Sequence, residues 1–349
     1  MRPLYTPHSR PLTVLYGDLE SHAVPGQETF VGTAGSVLER QNAAGFRFYA
    51  HQYYDGDGKQ RERYVAGPVG SADADAAAAA LRERVREMKD LVPSLRLLGR
   101  EGYNLADPKT YGTLASLANH GVFAAGALLV GSHAYGVLLN RLGVRAAAYA
   151  TEDVDIARGS ALAFAQQPTE GFLEMLRASN IDFVEVPRLE RAAPPTSFKQ
   201  RGRSLFHVDL LVPSPNETFP VVAVPELKAH ATGLPYLRYL LAESQVGLII
   251  AREGCCAVRV PLPERFAVHK LVVSRLRVGG GAKADKDVTQ AAVLCAVLAQ
   301  SQSGAVAAAV EALPPGARKH FVRALETVRP QLEPVHPRAW EELSTRRGR

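Results

Sequence analysis

The stretch Leu128-Leu129-Val130-Gly131-Ser132-His133-Ala134-Tyr135-Gly136 decides the fold class. An apolar run leads into Gly131-Ser132, and a helical pattern follows from Tyr135 to Leu142. Glycine lets the backbone come close to a ligand. The Ser132 hydroxyl and the helix-opening N–H groups make an anion site of the kind that phosphates occupy. An ordinary strand–turn–helix junction can carry the same residues, so the segment acquires meaning only beside the acidic strands C-terminal to it.

Further along, Glu152-Asp153-Val154-Asp155-Ile156 has the alternation of a short strand. Residues i and i+2 of a strand share a face, with Cα atoms about 6.6 Å apart. Asp153 and Asp155 can therefore reach one site while Val154 and Ile156 face the core. Two such carboxylates repel unless a cation sits between them, and hard oxygen ligands suit Mg²⁺ or Mn²⁺. A solvated acidic strand end is the other reading. Then comes Phe206-His207-Val208-Asp209-Leu210-Leu211-Val212, one carboxylate in a mostly apolar strand. An ionised Asp there is expensive unless it is paired or metal-bound. A salt bridge from Asp209 to Lys199, Arg201 or Arg203 is the structural alternative.

Gly-Ser, a D-x-D about twenty residues later and a lone Asp on a later strand together resemble the DNA polymerase β-like nucleotidyltransferase superfamily. VGSHAYGVLLNRLGV, TEDVDIA and HVDLLVP look like a bacterial branch of uncharacterised nucleotidyltransferase-fold proteins, a branch that also carries an N-terminal hairpin. The resemblance covers roughly Phe46 to Leu298 and implies an α+β fold: a mixed sheet with helices, a C-terminal helical domain and an N-terminal hairpin and helix extension. It also implies that Gly131 and Ser132 hold a nucleoside triphosphate, and that Asp153, Asp155 and Asp209 are catalytic and bind two Mg²⁺ or Mn²⁺ ions. One departure stands out. Small bacterial members often place an Arg in the first turn after Gly-Ser, whereas here the first is Arg141.

Lys270, in Glu264–Arg277, is a candidate cation for the triphosphate; Lys270 and Arg277 fall on a helical stripe apart from Phe266, Leu271 and Val273. The next helix is expected to open at Lys286-Asp287. This arrangement is similar to that of abortive-infection-type nucleotidyltransferase toxins, in which a helix lysine meets nucleotide phosphate. A solvated lysine is the plainer reading of Lys270, and an N-terminal helix acid facing the macrodipole is the plainer one of Asp287. His133, His207 and His269 flank motif residues and read as structural. Gly279–Gly281 reads as a flexible loop.

The rest of the chain is organised around this centre. Residues 1–30 are Pro-rich and read partly as an arm. Phe46–Val65 alternates aromatic and polar residues around Asp55-Gly56-Asp57-Gly58, a hairpin signal. Ser71 can cap a long helix running to about Val92. Three domains are expected: 1–104 as the extension, 105–262 as the catalytic domain and 263–349 as the helical domain. Lys59, Arg61 and Arg63 share one face of the hairpin's second arm, which suits a projecting ribbon that binds a polyanionic acceptor. Edge-strand protection against aggregation is the alternative.

Composition bounds the function. The 349 residues are 46% hydrophobic and 22% charged, as in a globular protein. The longest apolar runs, Gly121–Val130 and Ala291–Ala299, fall short of the roughly 20 residues of a spanning helix. The N-terminus shows no apolar export segment. Three cysteines without C-x-x-C suit a reducing cytosol. A net charge of +6 mildly favours an anionic partner. No dinucleotide or P-loop glycine motif occurs. The expectation is a cytoplasmic, metal-dependent nucleotidyltransferase using an NTP (ATP-binding among the options), with RNA, most plausibly a tRNA 3′ end, as acceptor. A small-molecule or protein acceptor, or a non-catalytic toxin/antitoxin-type nucleotide-binding module, is the alternative.

Overall fold

The computed structural model describes residues 3–147, 151–188, 193–277 and 281–344. Of the expected glycine loop, Gly279 and Gly280 lie outside these residues, and Gly281 opens a helix.

From Tyr5 to His22 the chain is not an arm. Strand β1 (Tyr5–Pro7) is followed by helix α1 (Arg10–His22), which starts with Pro11 in its first turn. Leu12, Leu15, Tyr16 and Leu19 recur at helical spacing and pack against Leu95, Leu98 and Tyr103. The hairpin is also more than a hairpin. Strand β2 (Ser36–Gln41) pairs with β3 (Arg47–Tyr54), and β3 pairs with β4 (Gln60–Ala66), giving a three-stranded antiparallel sheet. Helix α2 (Ala72–Arg100), capped by the Ser71 hydroxyl, covers it and runs past the expected end through Pro93.

Helix α3 (Pro108–Asn119) leads into the main sheet. The apolar run from Val122 supplies only a three-residue strand, β5 (Leu128–Val130), because Gly121 and Gly126 take positive φ and fold the residues before it into turns. Helix α4 (Gly131–Arg141) follows directly, then β6 (Val144–Ala146), which pairs with β1. Strand β7 (Asp153–Ala157), helix α5 (Phe172–Arg177), and strands β8 (Phe183–Glu185), β9 (Ser197–Gln200), β10 (His207–Pro213), β11 (Val221–Val224) and β12 (Ala229–Leu234) continue the chain. The sheet runs β11-β12-β10-β7-β5, with β9 antiparallel to β10 and β8 antiparallel to β9. Strands β7 and β10 are parallel, as are β10 and β12.

After the short helix α6 (Leu237–Leu240), strands β13 (Ser244–Ile250) and β14 (Cys255–Pro261) form a separate antiparallel pair. The remaining helices are α7 (Pro263–Ser274), α8 (Gly281–Ser301), α9 (Ala305–Glu311), α10 (Pro315–Leu332) and α11 (Pro337–Ser344). One buried cluster extends from Tyr111 to Leu343, so the sheet and the C-terminal helices share a core. The inward residues of β7 and β10, Val154, Ile156, Val208 and Leu210, belong to it. The architecture is α+β, and among the described residues no helix is long and apolar enough to cross a membrane.

Candidate active site

Parallel pairing of β7 and β10 sets His207 opposite Asp153 and Asp209 opposite Asp155. Alternation then does the rest. Val154, Ile156, Val208 and Leu210 turn to the core, and Asp155 and Asp209 turn the other way, into a cleft of about 610 Å³. Asp155 and Asp209 line that cleft together with Gly131, Lys270, Arg277 and Lys283.

Gly131 is required twice over. Its φ is 68°, and a Cβ there would run into the Asp155 carboxylate. The start of α4 thus lies directly against the acid pair. Ser132, the next residue, faces a neighbouring pocket lined also by Asn104, His133 and Thr151.

The acids are coupled. Burial, then the Asp209 charge, lift the Asp155 carboxyl to about 6, against the opposing pull of Lys270. His207 stands between the other two acids, its Nδ1 3.4 Å from Asp153 and its Nε2 3.6 Å from Asp209. The Asp209 hydrogen bond raises the imidazole to about 9 against its burial, so it is an imidazolium at neutral pH. Asp209 also accepts from the Ser197 hydroxyl, its register partner on β9. These contacts stand in place of the alternative salt bridge; Arg201, for one, pairs with Asp182. Neither Ser197 nor a bridging role for His207 emerged from the sequence. A period-two reading of Ser197–Gln200 beside Asp209 would have been the only local hint.

Lys270 is not a solvated lysine. It is buried, with Nζ 2.6 Å from Asp287 Oδ1 and 5.4 Å from the centre of the Phe266 ring. Arg277 Nε reaches the other Asp287 oxygen at 3.0 Å. The reading of Asp287 as an N-terminal helix acid is therefore corrected. Helix α8 starts at Gly281, which puts Asp287 in its second turn, where it is buried as a counter-ion to two cations. Lys286, on the same turn, has its pKa lowered by burial and by Lys270, and feels the opposing charges of Asp153 and Asp155.

The hairpin does not project. Its turn seats on β9 and the start of α3, with Asp57 accepting from Gln200 at 2.9 Å and lying 3.3 Å from Lys109 Nζ. Arg61 is bound to the buried Asp55 at 2.6 Å, while Lys59 and Arg63 are exposed. Of the two tyrosines, Tyr53 is buried and Tyr54 is open.

The donor set is one for a hard divalent cation: carboxylate oxygens, one of them on a carboxyl that burial and its acidic neighbour lift to about 6. Among the described residues, no three His, Cys, Asp or Glu side chains converge as a ready-made cage. Asp155 and Asp209 are the pair that would hold such an ion.

A family profile described as Nucleotidyltransferase matches residues 109–314. That span starts within α3, takes in both acidic strands and Lys270, and stops just before α10. No curated protein and no solved structure matches the chain. With more than half of its length inside the match, the chain belongs to the nucleotidyltransferase family, whose substrate is a nucleotide.

Proposed function

We propose that the chain transfers a nucleoside monophosphate from an NTP to an acceptor hydroxyl, with Asp153, Asp155 and Asp209 as the catalytic acids. The observation that carries this reading is the juxtaposition of Asp155 and Asp209, in register on adjacent strands, with Lys270, Arg277 and Lys283 around the same cleft. Acids on one side and cations on the other suit a polyanion bridged by metal. Mg²⁺ or Mn²⁺ would be held by Asp155 and Asp209, with Asp153 the third acid that the family resemblance implies for two ions per site, and would offset triphosphate charge while lowering the pKa of the acceptor hydroxyl.

The chain's own groups act around that chemistry. The N–H groups that open α4 at Gly131 and Ser132 receive phosphate oxygens. Lys270, held in place by Asp287, and Arg277 neutralise the β- and γ-phosphates, serving where an Arg after Gly-Ser is missing. Asp209 takes the acceptor proton, and Ser197 fixes the orientation of that carboxylate. In-line transfer then depends on positioning and charge neutralisation.

RNA is the proposed acceptor. The turn of the N-terminal sheet contacts Gln200 on β9, the strand whose Ser197 touches Asp209, so Lys59 and Arg63 sit on a body docked beside the catalytic strand. Parallel incubations with NTP, Mg²⁺ or Mn²⁺, and total RNA, total protein or a small-molecule extract test this reading. Label is expected in the RNA fraction. Label confined to protein or small molecules would overturn RNA as acceptor.

A further inference from the structure

Across the floor of the cleft the chemistry changes in strand order. Asp155 on β7 and Asp209 on β10 make the charged side. Leu211, two residues beyond Asp209, lies on the same face of β10; Thr232 of β12 is its register partner, and Leu234 lines the cleft two residues further along β12. The Thr232 hydroxyl is already spent on Thr196, 2.8 Å away. Leu237 and Leu240 of α6 close this end. A ligand with phosphates at the acids therefore sets its other end on an apolar surface.

Phe219 stands at that apolar end with 52% of its surface exposed. An aromatic face open inside a cleft can stack on a flat π-system. Its loop is pinned on both sides. The Ser214 N–H donates to the Leu234 carbonyl at 2.9 Å, and the Gly233 N–H donates to the Pro220 carbonyl at 2.7 Å. In between, Glu217 accepts from the Tyr236 hydroxyl at 2.6 Å, from Lys319 at 2.8 Å and from His320 at 3.0 Å. The loop that carries the ring is thus held before any ligand arrives, and little backbone ordering cost remains to be met on binding.

We propose that Phe219 is the platform on which the nucleobase stacks, and that it favours purine over pyrimidine NTPs without separating adenine from guanine. This rests on the nucleotidyl-transfer reading and deepens it. A phenyl ring offers area and no hydrogen-bond pattern, so it discriminates by stacking strength and not by base edge. Purines present the larger face.

Calorimetric titration in Mg²⁺ with ATP, GTP, CTP, UTP and inorganic tripolyphosphate tests it, on the wild type, Phe219→Ala and Phe219→Trp. Phe219→Ala is expected to weaken ATP and GTP about tenfold alike, one stack of about 1.4 kcal/mol. The pyrimidine nucleotides should lose less, and tripolyphosphate affinity should not move. Phe219→Trp should keep purine affinity, with indole emission quenched by ATP and GTP. Unchanged ATP affinity in Phe219→Ala, with tripolyphosphate still bound, would place the base elsewhere and leave the transfer reading standing. Equal weakening of tripolyphosphate would show that Phe219 shapes the phosphate end, contrary to the proposal. If the wild type bound neither NTP nor tripolyphosphate, both readings would fall together.

Discussion

Two regions of this molecule tie an arginine or lysine to a buried carboxylate, and they do so to different ends. In the hairpin turn, Asp55 is fully covered and accepts from the N–H groups of Asp57 and Lys59 as well as from Arg61. The result is a rigid turn that seats on Lys109 and Gln200. Between α7 and α8, Asp287 is equally covered but binds Lys270 and Arg277, both of which line the cleft beside Asp155 and Asp209. There the carboxylate aims cations at a space that a polyanion can fill. A buried ion pair is thus not informative by itself; what distinguishes the two is the cavity on the far side of the cation.

The largest effect expected from this contrast is on chemistry. Asp155→Asn or Asp209→Asn should lower transfer by about 10²–10⁴-fold, the range for loss of a positioned catalytic group. The fold should survive. In the metal-free protein the Asp155 carboxyl, lifted to about 6, costs stability increasingly as the pH rises from the ordinary carboxylate range to about 6, and the cost is complete above that value. Asp155→Asn should therefore raise the melting temperature more at pH 7.5 than at pH 5.5, which differential scanning calorimetry can check. A variant with wild-type transfer would remove the acids from the reaction.

Next comes stability. Asp287→Ala leaves Lys270 buried without its counter-ion and should cost about 3–5 kcal/mol in denaturant unfolding. Asp55→Ala frees Arg61 toward solvent and should cost less, about 1–3 kcal/mol. Equal losses would erase the distinction between the two pairs.

Ligand binding separates the two regions again. Lys270→Ala should weaken NTP about ten- to a hundredfold, as for a charge-assisted contact, and a nucleoside monophosphate little. Equal weakening would make Lys270 a prop for Asp287 and nothing more. The smallest effect belongs to the hairpin. Lys59→Ala with Arg63→Ala should leave NTP affinity alone and flatten the salt dependence of RNA binding by about 0.7 per lost phosphate contact. Arg61→Ala should act on melting temperature instead, because its guanidinium is engaged with Asp55.

How much the sequence made legible depends on the range of the interactions. Asp153, Asp155 and Asp209 could be read because strand alternation puts their carboxylates opposite an apolar face, a two-residue rule. The fold class and most of the helices behind it rest on similarly local periodicities. Apart from the glycine turns that shorten β5 and the earlier start of α8, the departures involve partners far away along the chain. Strand β2 is weakly patterned and makes sense only beside β3. Helix α1 has its apolar stripe, but Leu95 and Leu98, which receive it, lie some eighty residues on. Ser197 and His207 join the site through the registers of β9 and β7 against β10. That Lys270, a candidate for the triphosphate, is paired with Asp287 shows only once α7 and α8 pack together.

The claim on which all of this depends is that the cleft between β10 and α7 transfers a nucleotide and not a terminal phosphate. Paired reactions with NTP labelled at the α- or the γ-phosphate, in Mg²⁺ or Mn²⁺ with total RNA, test it in one step. Nucleotidyl transfer predicts acceptor-bound label from the α position alone, lost in Asp209→Asn while that variant's melting curve stays intact. Label from the γ position, or α-label transferred undiminished by Asp209→Asn, would contradict it.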